Sequence, residues 1–282
     1  FNTTIATQIY AKICFEATNS QKKIIENLSE YLSDDDFSRI FVLNGFAGTG
    51  KTTLIAALVA ALKELRIKPV LLAPTGRAAK VLARYCGEQA LTIHKRIYRQ
   101  RTNADYESKF SLDFNREQGA VFIVDEASML SDSTGDGALF GSGSLLEDLV
   151  SYVRSGRGCR LILVGDSAQL PPVGCDFSPA LDPATVSRYG EVVYGLMDEV
   201  VRQQMQSGIL FNATLVRCML ENRIYEIPKF EMDYPDFESV EGGDFMEKLQ
   251  DAFDRYGRDE VIVITRSNKR ANRYNEGIRC YI

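Results

Sequence analysis

The sequence predicts an α/β fold, a parallel sheet with helices on both faces, on three observations. Short apolar runs recur at residues 41–43, 69–73, 121–124, 161–164, 192–194 and 261–264, and helical periodicity fills most of the gaps between them. Runs that are apolar throughout, rather than alternating, suit strands covered on both faces. The third observation is the octet at 45–52, GFAGTGKT, which matches G-x-x-x-x-G-K-[ST] and sits between one such run and a helical stretch.

That octet gives the fold its chemistry. In a P-loop, the glycines let backbone N–H groups wrap a pyrophosphate, and the following helix offers its positive dipole end. Gly45, Gly48, Thr49 and Gly50 therefore form the expected phosphate cradle, Lys51 reaches the β- and γ-phosphates, and the Thr52 hydroxyl faces Mg²⁺. The next helix carries Leu54, Leu58, Ala61, Leu62 and Leu65 at three- and four-residue spacing, which turns one stripe onto the sheet. ATP and Mg²⁺ are the expected cofactors.

Composition bounds the rest. The 282 residues are 45% hydrophobic, enough for one large α/β domain plus part of a second. A net charge of −5 gives no global pull toward nucleic acid, so a polyanion would need a local basic groove. Cys14, Cys86, Cys159, Cys175, Cys218 and Cys280 fall in no C-x-x-C pair, which argues against zinc or a disulfide framework and suits a reducing cytoplasm. No long apolar stretch or leader pattern predicts membrane association. The chain starts at Phe1 without a methionine, as a trimmed or partial chain would.

Three stretches interrupt the alternation. Residues 98–119 are polar, with Phe110, Leu112 and Phe114 at period two, and predict a small inserted hairpin. The Gly/Ser-rich run at 133–144 predicts a mobile loop. An acidic connector at 226–255 is expected to separate a first domain, 1–225, from the start of a second at 256–282.

The run 121–124 leads into Asp125-Glu126. An acid here holds Mg²⁺ in NTPases and a neighbouring glutamate polarises the attacking water, so Asp125 is assigned to the metal and Glu126 to the base; the alternative is a solvated strand end. The run 161–164 leads into GDSAQLPPVG, where Gln169 can hydrogen-bond a γ-phosphate oxygen without adding charge.

Together with DEASM at 125–129 and APTGRAA at 73–79, GDSAQLPPVG closely resembles the superfamily 1B DNA helicases of the RecD and Dda type. The resemblance runs from about Gln21 to Asn275 and implies a RecA-like ATPase domain. It implies that Gln21 reads the adenine edge, where the bare sequence suggests a surface residue. Thr75, Gly76 and Arg77, with Thr92, Ile93 and His94, match motifs that contact single-stranded DNA. His94 is the only histidine, and a loop-fixing hydrogen bond is its other reading. Lys95, Arg96, Arg99 and Arg101 around Tyr98 combine charge with an aromatic face, as a single-strand track or as a solvated basic helix end. The hairpin at 98–119 falls where related helicases carry a strand-splitting pin. Arg202, in VVRQ, matches an arginine directed at the γ-phosphate, or else pairs with a carboxylate in a structural role.

The implied activity is a 5′-to-3′ ATP-dependent DNA helicase or translocase, with single-stranded DNA as substrate and a nuclease or repair complex as partner. Because later motifs of the family are missing, these residues alone are expected only to bind ATP and hydrolyse it weakly. The alternative is a P-loop ATPase acting as a nucleotide-controlled switch or assembly module, which would not need the two DNA-contacting loops.

Overall fold

The structure, a computed structural model, describes residues 2–13, 16–102, 108–132, 140–199 and 207–281. Their contacts divide the chain into two units: Phe1–Gln206 with Leu210–Lys229, and Ser207–Ile209 with Phe230–Ile282.

The first unit is built on β1 (Ile40–Gly45), β2 (Pro69–Ala73), β3 (Ala90–Thr92), β6 (Val121–Val124), β7 (Arg160–Gly165) and β8 (Val192–Met197), with β4 (Tyr98–Thr102) and β5 (Ser108–Leu112) set apart. Among the described residues, the six strands lie side by side in the order β3-β2-β6-β7-β1-β8, and every pairing is parallel. This is the expected parallel sheet. It also contains β3, a three-residue strand too short to register as a period, and it extends β8 beyond the apolar run at 192–194.

Residues alternate between two cores. Phe41, Leu43, Ile123 and Val164 face one side, where they meet α1 (Asn2–Lys12), α2 (Asn19–Ser33) and α3 (Lys51–Glu64). Ile40, Val42, Phe122, Val124 and Leu163 face the other and meet α5 (Ile93–Ile97) and α6 (Leu145–Ser155), α4 (Gly76–Cys86) lying between α3 and α5 in sequence. With both faces covered, consecutive strand residues can all be apolar, and each fully buried one contributes about 1.5–3 kcal/mol. Leu54, Leu58, Ala61 and Leu62 of α3 are buried as predicted, and Leu65 packs partly buried at its C-cap. After β7, α7 (Pro183–Val186) leads into β8, and α8 (Gly208–Glu221) follows.

The inserted hairpin is present, β4 and β5 pairing antiparallel from Tyr98 with Leu112 to Thr102 with Ser108. Its period-two pattern ends sooner than expected, because Phe114 lies beyond β5 and is exposed. The Gly/Ser run at 133–144 falls partly outside the described residues. Its described end turns through Phe140 and Gly141 into Ser144, whose hydroxyl caps α6 by accepting from the Glu147 N–H at 3.2 Å.

In the second unit, α9 (Phe245–Tyr256) and α10 (Asn268–Tyr281) meet through Phe245 and Tyr274, ring centres 5.4 Å apart. The apolar run at 261–264 joins no strand ladder among the described residues, and Ile262 and Ile264 are exposed. A strand needs a neighbour for its N–H and C=O groups, and none is described beside it.

Candidate functional site

Ligands of open parallel sheets gather beyond the carboxyl ends of the strands. Three adjacent strands here, β6, β7 and β1, deliver Asp125-Glu126, the loop at 166–169 and the P-loop to that edge, while β2 and β3 beside them deliver Thr75 and Thr92.

The P-loop is shaped by close approaches. Gly48 and Gly50 adopt φ of 74° and 86°, which side chains disfavour, and Gly50 opens α3. A Cβ on Gly45 would sit 2.7 Å from Cγ and Cδ of Lys51. Thr49 is buried and its hydroxyl donates to the Phe46 carbonyl at 2.8 Å. The Lys51 ammonium donates to the carbonyls of Gly45 (2.6 Å) and Phe46 (2.9 Å). Burial lowers the Lys51 pKa, while Asp166, Asp125 and Glu126 act against that shift.

Asp125 and Glu126 are both half-buried, and burial raises both carboxyls above their ordinary range; the neighbouring charge of Asp125 adds to the effect on Glu126. The Asp125 N–H bonds to the Leu72 carbonyl at 3.0 Å, so the pair leaves the sheet in register with β2. Glu126 takes φ 55°, a left-handed conformation that costs an ordinary residue on the order of 1 kcal/mol. Both acids are thus partly withdrawn from solvent.

Gln169 is exposed, its N–H held by the Asp166 carbonyl at 3.1 Å. Asn44 fixes the same loop: its Oδ1 accepts from the Ser167 N–H (3.0 Å), and its Nδ2 donates to the Ser167 hydroxyl (2.9 Å) and to Tyr194 (3.0 Å).

Gln21 is not a surface residue; it is 1% exposed. Its Oε1 accepts from the Thr18 N–H at 3.0 Å, closing a capping box on α2, and its Nε2 donates to the Thr49 carbonyl at 2.9 Å.

The expected DNA-contacting residues fall at two helix starts. Thr75 caps α4 by accepting from Ala78 (3.2 Å), Thr92 caps α5 by accepting from Lys95 (3.3 Å), and Thr75, Gly76, Arg77 and Lys95 are exposed. A Cβ on Gly76 would touch no protein atom, and the Ala78 N–H in that first turn is already taken by the Thr75 hydroxyl. His94 packs edge-on to Phe140 (5.1 Å) and tilted to Tyr98 (5.6 Å) in an aromatic cluster that includes Phe110, and burial lowers its pKa. Part of the basic track is spent internally, since Arg96 pairs with Glu117 (2.6 Å) and Arg99 with Asp113 (3.1 Å). Arg202 lies outside the described residues.

Two residues that matter here were not foreseen. Arg217 of α8 donates from Nη2 to both Asp166 oxygens (2.7 and 2.6 Å) with its guanidinium 3.9 Å from the Phe46 ring centre. Its signal was legible: it is the one charged residue between Gly208 and Leu220. Asp148 accepts from the Tyr98 hydroxyl (2.6 Å) and the Ser142 N–H (3.0 Å), holding the hairpin base against α6, a long-range contact without a sequence pattern.

A family model described as an AAA domain matches residues 17–210. The chain belongs to the AAA domain family. Relatives of this AAA domain include the ATP-dependent RecD2 DNA helicase of Deinococcus radiodurans, 30% identical over 154 residues, covering 55% of this chain and 19% of that protein. The RecBCD enzyme subunit RecD of Mycobacterium tuberculosis is 33% identical over 201 residues (58% and 32%). The ATP-dependent DNA helicase dda of Enterobacteria phage T4 is 34% identical over 136 residues (46% and 28%). The chain thus spans about a fifth to a third of the length of these three relatives, and the resemblance to superfamily 1B helicases of the RecD and Dda type holds.

Proposed function

We propose that the chain is the ATP-hydrolysing portion of a DNA helicase or translocase that moves 5′-to-3′ on single-stranded DNA. The observation that carries this reading is the strand order: β6, β7 and β1 bring Asp125-Glu126, Gln169 and Lys51-Thr52 to one edge, with the exposed start of α4 and the exposed Lys95 of α5 next to them.

The donor set fits a magnesium nucleotide. Asp125 and Glu126 are partly desolvated carboxylates with Lys51 as the nearby cation that opposes their shifts, and the Thr52 hydroxyl stands in the first turn of α3; oxygen donors of this kind suit a hard divalent ion. When bound, Mg²⁺ neutralises charge on the phosphate oxygens. In this reading Lys51 exchanges the Gly45 and Phe46 carbonyls for β- and γ-phosphate oxygens, Thr52 and Asp125 hold the metal, and Glu126 orients water for in-line attack. Gln169 bonds a γ-phosphate oxygen, Gln21 meets the adenine edge by releasing its bonds to Thr18 and Thr49, and Arg202 stabilises transferred charge. Thr75, Gly76, Arg77, Thr92, His94 and Lys95 carry the DNA backbone, and the β4–β5 hairpin acts as the strand-splitting pin. Residues 256–282 open a second RecA-like domain after an acidic connector, the localisation is cytoplasmic, and a nuclease or repair complex is the expected partner.

ATP hydrolysis measured with and without a single-stranded oligonucleotide, on the chain extended through a complete second domain, tests this reading. DNA should raise the rate, and Arg77→Ala with Lys95→Ala should blunt the response while leaving the basal rate; a rate indifferent to DNA refutes translocation and favours the nucleotide switch.

A further inference from the structure

The geometry points to Arg217 as a positioning residue that holds the Gln169 loop against the P-loop. This deepens the ATPase reading above and rests on it for its kinetic consequence.

Arg217 and Asp166 are 8% and 2% exposed, so neither charge is offered to solvent. Nη2 of Arg217 meets both Asp166 oxygens, and Oδ1 of Asp166 also accepts from the Ala168 N–H at 3.0 Å. The Asp166 carbonyl accepts from the Gln169 N–H. The conformation of 166–169 therefore depends on where Asp166 is held, which Arg217 does, beside the Asn44 bonds that hold Ser167 from the other side.

The same guanidinium lies over Phe46, the second residue of the P-loop. Phe46 gives its N–H to the Met197 carbonyl (2.9 Å), and its own carbonyl receives the Lys51 ammonium and the Thr49 hydroxyl. One side chain thus touches both loops, those that carry Lys51 and Gln169. Arginine suits the task because its planar head can lie on a ring while donating in its own plane to a carboxylate, which an ammonium cannot do.

With its donors directed at Asp166, Arg217 acts through its neighbours. A buried ion pair that merely anchored α8 would make the same contacts but would not be tied to Gln169. The two roles separate kinetically, because loss of positioning lowers turnover while the phosphate cradle still binds.

The test compares wild type, Arg217→Ala, Arg217→Lys, Gln169→Ala and the Arg217→Ala/Gln169→Ala double variant for kcat, for affinity toward a fluorescent ATP analogue, and for amide exchange at Ala168 and Gln169. Arg217→Ala should lower kcat by about tenfold or more with the nucleotide Kd within about twofold, and the double variant should be no slower than the slower single one. Exchange at Ala168 and Gln169 should accelerate while β7 amides stay protected, with Arg217→Lys intermediate in both exchange and kcat. Multiplicative effects in the double variant, unchanged kcat, or unchanged exchange at 168 and 169 would overturn the proposal. If Arg217→Ala does not fold, Arg217→Lys carries the same comparison. A wild type that neither binds nor hydrolyses ATP removes the ATPase reading, and the exchange arm then decides the positioning contact by itself.

Discussion

The side-chain amide of Gln21 donates to the backbone carbonyl of Thr49 at 2.9 Å, so the residue that caps α2 also braces the P-loop. Gln21→Ala removes both ends of this brace and leaves the Thr49 carbonyl and Thr18 N–H without it, a loss of about 1–3 kcal/mol. Melting temperature and affinities for ATP and GTP check the consequence. A brace alone weakens both nucleotides equally, whereas an adenine contact adds a loss confined to ATP.

Glu126→Gln keeps the shape of the side chain and removes the base. Nucleotide affinity should hold while turnover falls by about a hundredfold or more. Single-turnover hydrolysis beside equilibrium binding measures both, and an unchanged rate excludes Glu126 from the role.

Gly45→Ala places a methyl 2.7 Å from the Lys51 side chain and 3.2 Å from Met197 Cβ. Lys51 must then leave its position, so nucleotide affinity should fall by about tenfold or more with a smaller effect on folding. Calorimetric titration with ATP reads the first effect and thermal melting the second.

Tyr31 serves the fold away from the site. Its hydroxyl donates to the Leu161 carbonyl at 2.8 Å and accepts from the Leu161 N–H at 3.1 Å, joining α2 to the early part of β7. Tyr31→Phe should cost about 1–3 kcal/mol in denaturant unfolding. Nucleotide affinity, measured on the folded variant, should not change.

His94 gives a pH signature. Burial depresses its pKa below the ordinary 6.5, so in acid the unfolded chain takes up a proton before the native one does. Its contribution to stability is therefore complete above pH about 6.5 and is lost as pH falls through the depressed value. Relative to His94→Phe, wild type should lose ground in denaturant midpoint between about pH 7.5 and pH 5; parallel curves would remove the effect.

Much of this was legible beforehand. The P-loop, the acids after β6 and the GDSAQ loop are local spacings whose chemistry depends on neighbours in the chain, and five of the six apolar runs became sheet strands. The sixth, 261–264, shows the limit, since an apolar run describes a strand's side chains and says nothing of whether a neighbour is present to take its backbone bonds. Gln21 shows another: read from the sequence as a surface residue, it is buried by its bond to a P-loop carbonyl 28 residues away.

By itself, the sequence determined which residues could handle a phosphate and that they would stand at strand ends, because glycine conformation, helix capping and apolar runs are short-range properties. Only the tertiary structure decided that β6, β7 and β1 are neighbours, that Arg96 and Arg99 turn to carboxylates, and that Arg217 meets Asp166 across 51 positions. The last of these follows from how desolvated charges find partners once the sheet has closed its two cores, and all of them are choices made between distant parts of the chain.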